Sequence, residues 1–182
     1  MTYKESLRQA FLKTDSEEAD YDSGIFPILA NEAQLYIAKY GTHIVRKAEI
    51  KADKPQYRVK LPEDFYRFAP LGLVYADDET RGVDCYVAED GTLVVRSAGD
   101  FVLYYYALPK DLTSGTVDLE TYEYEVAPHT QAAIPSYIGY QLVKTDDVQL
   151  AQILKNEWDK YMSLFDDQSK AVKKRISSIV RW

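Results

Sequence analysis

The 182 residues suffice for one domain, or for one helical core with an inserted lobe, and a composition of 46% hydrophobic and 28% charged residues argues against global disorder. A net charge of −7 at pH 7 opposes the positive field that phosphate binding needs, which argues against a general nucleic-acid binder. The single cysteine, Cys85, leaves no intrachain disulfide and suits a reducing compartment, and no run approaches the ~20 apolar residues needed to cross a bilayer.

The first residues carry no signal-peptide pattern, so synthesis in the cytoplasm is expected. Leu7, Ala10 and Phe11 fall at helical spacing, and the acidic, apolar-poor stretch from Thr14 to Gly24 reads as a loop. A second helix is predicted from Ile25, with Ile25, Leu29, Ala33, Tyr36, Ile37 and Tyr40 recurring every three or four residues and Gly41 as its stop. Pro27 fits that helix only within its first turn.

After Gly41 the period drops to two. Ile44, Arg46, Ala48 and Ile50 alternate with Val45, Lys47 and Glu49, and Tyr57, Val59 and Leu61 share a face in the next strand. Further strands are predicted over Phe65–Tyr75, Val83–Ala88 and Leu93–Arg96, the last two joined by a hairpin turn with Asp90-Gly91 at its centre. A turn at Ser97–Asp100 leads into Phe101–Tyr106, rich in strand formers, which Pro109 ends.

Lys110 to Val126 reads as an acidic connection. Pro128 suits a helix start, and Ile134, Ile138, Gln141 and Leu142 keep helical spacing, with Pro135 marking either a kink or the real first turn. Thr145, Asp146 and Asp147 form a loop and an N-cap. Val148, Ala151, Leu154, Trp158, Tyr161 and Phe165 then form the clearest helical stripe in the chain. Asp166-Asp167 is expected to interrupt this helix. Beyond it lies a basic amphipathic tail, Lys170 to Trp182, with Val172, Ile176, Ile179 and Val180 on one side.

Patterns that carry chemistry are missing. His43, His129 and Cys85 are not spaced as a local metal site, and the acidic clusters Asp77-Asp78-Glu79 and Asp166-Asp167 lack a calcium-loop pattern. There is no nucleophile elbow, phosphate-cradling glycine loop or dinucleotide fingerprint. No metal, cofactor or catalytic residue is expected, and the chain is not expected to be an enzyme. Of the aromatic residues, 16 are Tyr against 6 Phe and 2 Trp, which suits half-buried edges and interfaces.

Leu61-Pro62-Glu63-Asp64-Phe65-Tyr66-Arg67-Phe68 resembles the "LPxDF-R" stretch of tailed-phage head–tail connector (adaptor) proteins. Val102-Leu103-Tyr104-Tyr105-Tyr106-Ala107-Leu108-Pro109 is similar to the "hYYxxLP" strand that follows it in that family. The acidic connection, the helix beginning near Pro128, the turn at Thr145-Asp146-Asp147 and the Trp158 helix with Tyr161 continue the likeness, which spans Leu61 to Phe165. The long stretch before the "LP" motif and the basic tail depart from it.

The resemblance implies a structural subunit, not an enzyme, in a dodecameric ring of its own copies that docks beneath the portal protein and offers a surface to the next connector or tail component. DNA would pass without specific binding, no membrane would be involved, and the protein would reside in the virion after synthesis in the bacterial host. Because C-terminal arms in this family reach toward the portal, the residues assigned to portal contact are Lys173, Lys174, Arg175, Ile176, Ile179, Arg181 and Trp182.

The expected fold is α+β: an antiparallel helical bundle formed by N- and C-terminal segments with an inserted small antiparallel β lobe. The expected parts are N-terminal helices over residues 1–42, the β lobe over 43–109, the acidic connection over 110–127, C-terminal helices over 128–168 and the arm over 169–182. Two other functions fit the same residues: a bacterial module binding a glycan or peptide through the tyrosine-rich β lobe, and a small hydrolase with dispersed carboxylates.

Overall fold

The computed structural model describes the backbone of residues 1–179 and the side chains of residues 1–165. It is a mixed α+β protein whose chain divides into two units: residues 1–43 with 109–182, and residues 44–108.

In the first unit, α1 (Tyr3–Thr14) begins at Thr2, whose Oγ accepts the Glu5 N–H at 3.1 Å. It stops at Asp15, which takes a left-handed conformation (φ 50°). The loop that follows holds a 3-10 turn, Glu18–Asp20, and Tyr21 of that loop packs against the rings of Phe11 and Phe26, which also meet each other. Helix α2 (Ile25–Tyr40) has Pro27 in its first turn and ends at Gly41, whose N–H bonds to the Ile37 carbonyl at 2.8 Å. Its face of Phe26, Leu29, Ala33 and Ile37 is buried.

A 3-10 segment, Pro128–Ala133, leads into α3 (Ile134–Val143). Pro135 therefore marks the first turn and makes no kink, because a residue there has no intrahelical acceptor for the N–H that proline lacks. The Asp147 carboxylate accepts the Leu150 N–H at 2.9 Å and caps α4 (Val148–Ile179). On α4, Ala151, Leu154, Trp158 and Phe165 are buried, while Tyr161 is half-buried.

Three expectations are corrected in this unit. Helix α4 runs through Asp166-Asp167 without a break, because no glycine or proline interrupts Val148–Ile179 and aspartate costs a helix interior only a few tenths of a kcal/mol, about 0.7 at most. The helix therefore does not end at residue 168. Val148 does not join the buried stripe: it is 70% exposed, lying in the first turn before α4 meets its neighbours.

The acidic connection, in turn, contributes to the core, since Leu112, Tyr122, Tyr124 and Val126 are all buried. It is held by its backbone: the Tyr3 N–H donates to the Tyr122 carbonyl at 2.9 Å, and Gln131 Nε2 donates to the carbonyls of Tyr124 and Val126. Tyr122 Oη donates to Gln34 Oε1 at 2.9 Å, and Gln34 Nε2 donates to the Lys110 carbonyl at 2.8 Å.

The second unit contains two three-stranded antiparallel sheets. One orders β1 (Ile44–Ala52), β6 (Gly99–Ala107) and β3 (Phe65–Tyr75); the other orders β2 (Tyr57–Lys60), β5 (Thr92–Val95) and β4 (Cys85–Val87). The alternation predicted in β1 is kept, with Ile50 and Ala52 buried and Val45, Lys47 and Glu49 exposed. Inward residues of both sheets form one core that includes Ile50, Leu73, Leu93, Val95, Phe101 and Leu103.

The hairpin β4–β5 turns as expected around Glu89-Asp90-Gly91. Gly91 alone takes a positive φ (76°), and its N–H bonds to the Ala88 carbonyl at 2.9 Å, a type I turn closed by a left-handed glycine. Asp90 meets a different need, since its Oδ1 accepts both the N–H and the hydroxyl of Thr92. The same Asp-x-Thr device recurs at Asp78–Thr80 and Asp111–Thr113, and in all three these bonds hold the carboxyl below its ordinary pKa.

Trp158 is buried on α4 with its ring 4.9 Å from that of Tyr137 on α3. Trp158→Ala should cost about 3–5 kcal/mol of stability, read as a fall in the urea midpoint. An unchanged midpoint would remove this helix from the core.

Burial pushes the hydroxyl of Tyr3 up to about 12, and burial also raises those of Tyr124 and Tyr137. Groups raised in the folded state keep protons that the unfolded chain has lost, so their stabilisation is complete below pH 10 and fades as pH climbs toward about 12. Melting temperature should fall steeply across that window, and Tyr124→Phe should flatten the fall.

Candidate functional site

The stretches Leu61–Phe68 and Val102–Pro109, more than thirty residues apart, meet at one place. Strand β3 pairs with β6 so that Phe65 faces Ala107, and the Leu108 N–H donates to the Asp64 carbonyl at 2.8 Å. The Asp64 carboxylate accepts the Tyr105 hydroxyl at 3.0 Å and forms an ion pair with Arg46 of β1. Phe65 packs its ring against Phe68 and Tyr105. Arg46 thus sits on the inward side of an alternating strand because its charge has a carboxylate there. Burial first, and the Asp64 bond second, raise the Tyr105 hydroxyl above its ordinary pKa.

The tyrosine run of β6 is the central strand of its sheet and lies mostly within the packing. Tyr104 and Tyr105 are buried, on opposite faces, and Tyr106 is half-buried. Lys47 sits 4.5 Å from the centre of the Tyr104 ring, and Arg67 lies 5.0 Å from that of Tyr106. Rings already covered by cations and neighbouring strands do not make an open stacking platform for sugars or bases.

Cys85 is half-buried in β4, and burial, with Asp84 beside it, raises its thiol above its ordinary pKa, the direction opposite to that of an activated cysteine. Among the described residues, no group of three or more His, Cys, Asp or Glu is placed to hold a metal ion. His129 is exposed in the first turn after Pro128, with its ring edge toward Phe165. Among the described residues, no helix is long and apolar enough to cross a membrane.

The residues assigned to portal contact fall at the far end of α4. The backbone of Lys173, Lys174, Arg175, Ile176 and Ile179 belongs to that helix, but their side chains lie outside the described residues, as do Arg181 and Trp182 altogether.

A surface that sequence reasoning missed lies on α2. Ile28 (48% exposed), Tyr36 (48%) and Tyr40 (64%) face away from the core and, with Tyr137 of α3, line an open groove of about 790 Å³. Tyr36 meets Trp158 edge-on at 6.4 Å, so a buried tryptophan supports the groove from below. Tyr137 Oη donates to Glu32 Oε2 at 2.9 Å, and Lys144 Nζ donates to Gln141 Oε1 at 2.8 Å on its edge. The signal was present in the sequence: α2 is apolar on more than the one face that a surface helix needs. Its periodicity had merged two faces, and the structure separates Leu29, Ala33 and Ile37 from Tyr36 and Tyr40.

No protein-family model matches the chain, and no curated protein matches its sequence.

Replacing Asp64 by alanine leaves the Tyr105 hydroxyl and the Arg46 guanidinium without this acceptor. Asp64→Ala should cost about 1–3 kcal/mol, and Asp64→Asn less, because the amide oxygen still accepts from Tyr105. Chemical denaturation followed by tyrosine fluorescence checks this; equal stability of the two variants would show the carboxylate junction to be incidental.

Proposed function

We propose that this chain is a structural subunit of a tailed-phage head–tail connector ring, docking beneath the portal and offering an attachment surface to the next connector or tail component. The observation that carries the reading is the junction at Asp64. The two stretches that resemble the connector family are distant in sequence, yet Asp64 bonds to Tyr105 at 3.0 Å and to the Leu108 N–H at 2.8 Å. Chance matches to two short patterns have no reason to fall on paired strands and share a carboxylate.

On this reading the helices from both chain ends form an antiparallel bundle, and residues 44–108 are the inserted lobe that meets neighbouring copies or the next ring. An acidic chain suits a passage that DNA crosses without sticking. The protein would reside in the virion and act by assembly, without catalysis. The buried state of Tyr104 and Tyr105 weighs against the glycan- or peptide-binding alternative.

The basic segment from Lys170 to Trp182 is the portal-docking arm. Its charge opposes that of the rest of the chain, and its apolar positions are spaced to enter a groove. A ring that binds through many arms at once gains avidity that one arm lacks. Full-length protein should bind assembled portal, and a chain ending before Lys170 should lose at least tenfold in affinity, with binding by the full chain weakening as salt rises. Equal binding by the truncated chain would refute the arm, and salt-independent binding would refute its electrostatic component.

A further inference from the structure

Two exposed apolar surfaces on the helical unit have opposite local charge and share no residue. The groove between α2 and α3 is edged by Lys39 and Lys144 against the single carboxylate Glu32. The second surface is the corner where α1 ends. There Leu12 is 73% exposed beside half-buried Phe11, and the adjoining loop carries Asp15, Glu17 and Glu18. The basic residues nearby are Arg8, Lys4 and Lys13; Lys4 is paired with Glu120 at 3.0 Å and Lys13 with Glu157 at 2.7 Å. The groove edge is thus locally positive in an acidic protein, and the corner locally negative.

We infer that the α2–α3 groove of one copy receives the Leu12 corner of a second copy. Leu12, exposed on the wall of a shallow pocket of its own, supplies an apolar side chain for a groove walled by Ile28, Tyr36, Tyr40 and Tyr137, the kind of aromatic pocket in which interface energy concentrates. Asp15, Glu17 and Glu18 then approach Lys39 and Lys144, and this charge pairing fixes which way round the copies meet. A single such contact leaves each copy one unused surface: repeated in one sense it leads to a closed ring or an open chain, and reciprocal use of both surfaces closes a two-fold dimer. The inference goes beyond the connector reading, since it requires only a second copy of this chain.

The test uses full-length chains in a Cys85→Ala background. Leu12→Cys and Ile28→Cys versions are purified separately, mixed at high concentration and treated with a short bismaleimide. Both positions are exposed, so folding should be retained, and melting curves check it. The expected result is a mixed Leu12→Cys/Ile28→Cys dimer in several-fold excess over either like-with-like dimer. Adding Lys144→Glu to the groove chain should reduce that product several-fold, and Glu18→Lys on the corner chain should restore it. A mixed product no greater than its random share, or a dominance of like-with-like dimers, would overturn the inference. Portal binding by these same chains reads the connector proposal separately, so loss of one result with retention of the other tells the two apart.

Discussion

Helix α3 has almost no face for solvent, and the helical unit is built around that fact. Ile134, Tyr137, Ile138, Leu142 and Val143 are buried, and so are Ser136 and Gly139. A ten-residue helix of this kind is marginal alone in water and gains its stability from what covers it. The cover comes from α1 and α2 before it in sequence and from α4 after it. Both ends of the chain must therefore gather on one short segment, and the residues between Ile44 and Leu108 are left to fold as a unit of their own. Gly139 marks a close approach: a Cβ there would stand 3.1 Å from Leu154 Cδ1 and 3.2 Å from Thr14 Cγ2, so α1 and α4 would have to give by a few tenths of an ångström to admit a side chain.

The abundance of tyrosine has a common physical account. Tyr122 donates to Gln34, Tyr137 to Glu32 and Tyr105 to Asp64, across separations of 88, 105 and 41 residues. Ser6 Oγ can donate only to the Tyr3 carbonyl, so in its 2.8 Å contact with Tyr124 it accepts the phenol proton. In each case the ring fills the interior while the hydroxyl finds a polar partner, and at Gln34 and Ser6 that partner is itself fully buried. Phenylalanine would serve the volume and leave the partner unpaired. These bonds tie together segments that no local pattern connects, which lets irregular backbone such as the stretch from Lys110 to Val126 lie within the core.

Among the described residues, the features that stand open to other molecules are surfaces. An apolar groove, an exposed leucine flanked by carboxylates and a basic C-terminal sequence are the materials of association. The groove lies on α2 and α3, and the leucine on α1. Among the described residues, carboxylates and tyrosines are engaged in turns, caps and core bonds.

The sequence by itself determined the order and type of the elements, because periodicity and strand propensity are local properties: a period near 3.6 gave α1, α2 and α4, alternation gave β1 and β2, and a run of strand formers gave β6. It also marked Gly91 as the turn and Asp147 as the cap, where one side chain meets the backbone beside it. Tertiary structure decided what depends on distant neighbours. It drew Tyr122 and Tyr124 into the core from a stretch without periodic signal, left Val148 exposed although it kept the stripe's spacing, and carried α4 through Asp166-Asp167. It divided the apolar positions of α2 between core and groove, since spacing says which residues share a face but not whether anything covers that face. It placed Asp64 beside Tyr105 for the same reason: burial and pairing are properties of the whole packed chain, and no window of sequence contains them.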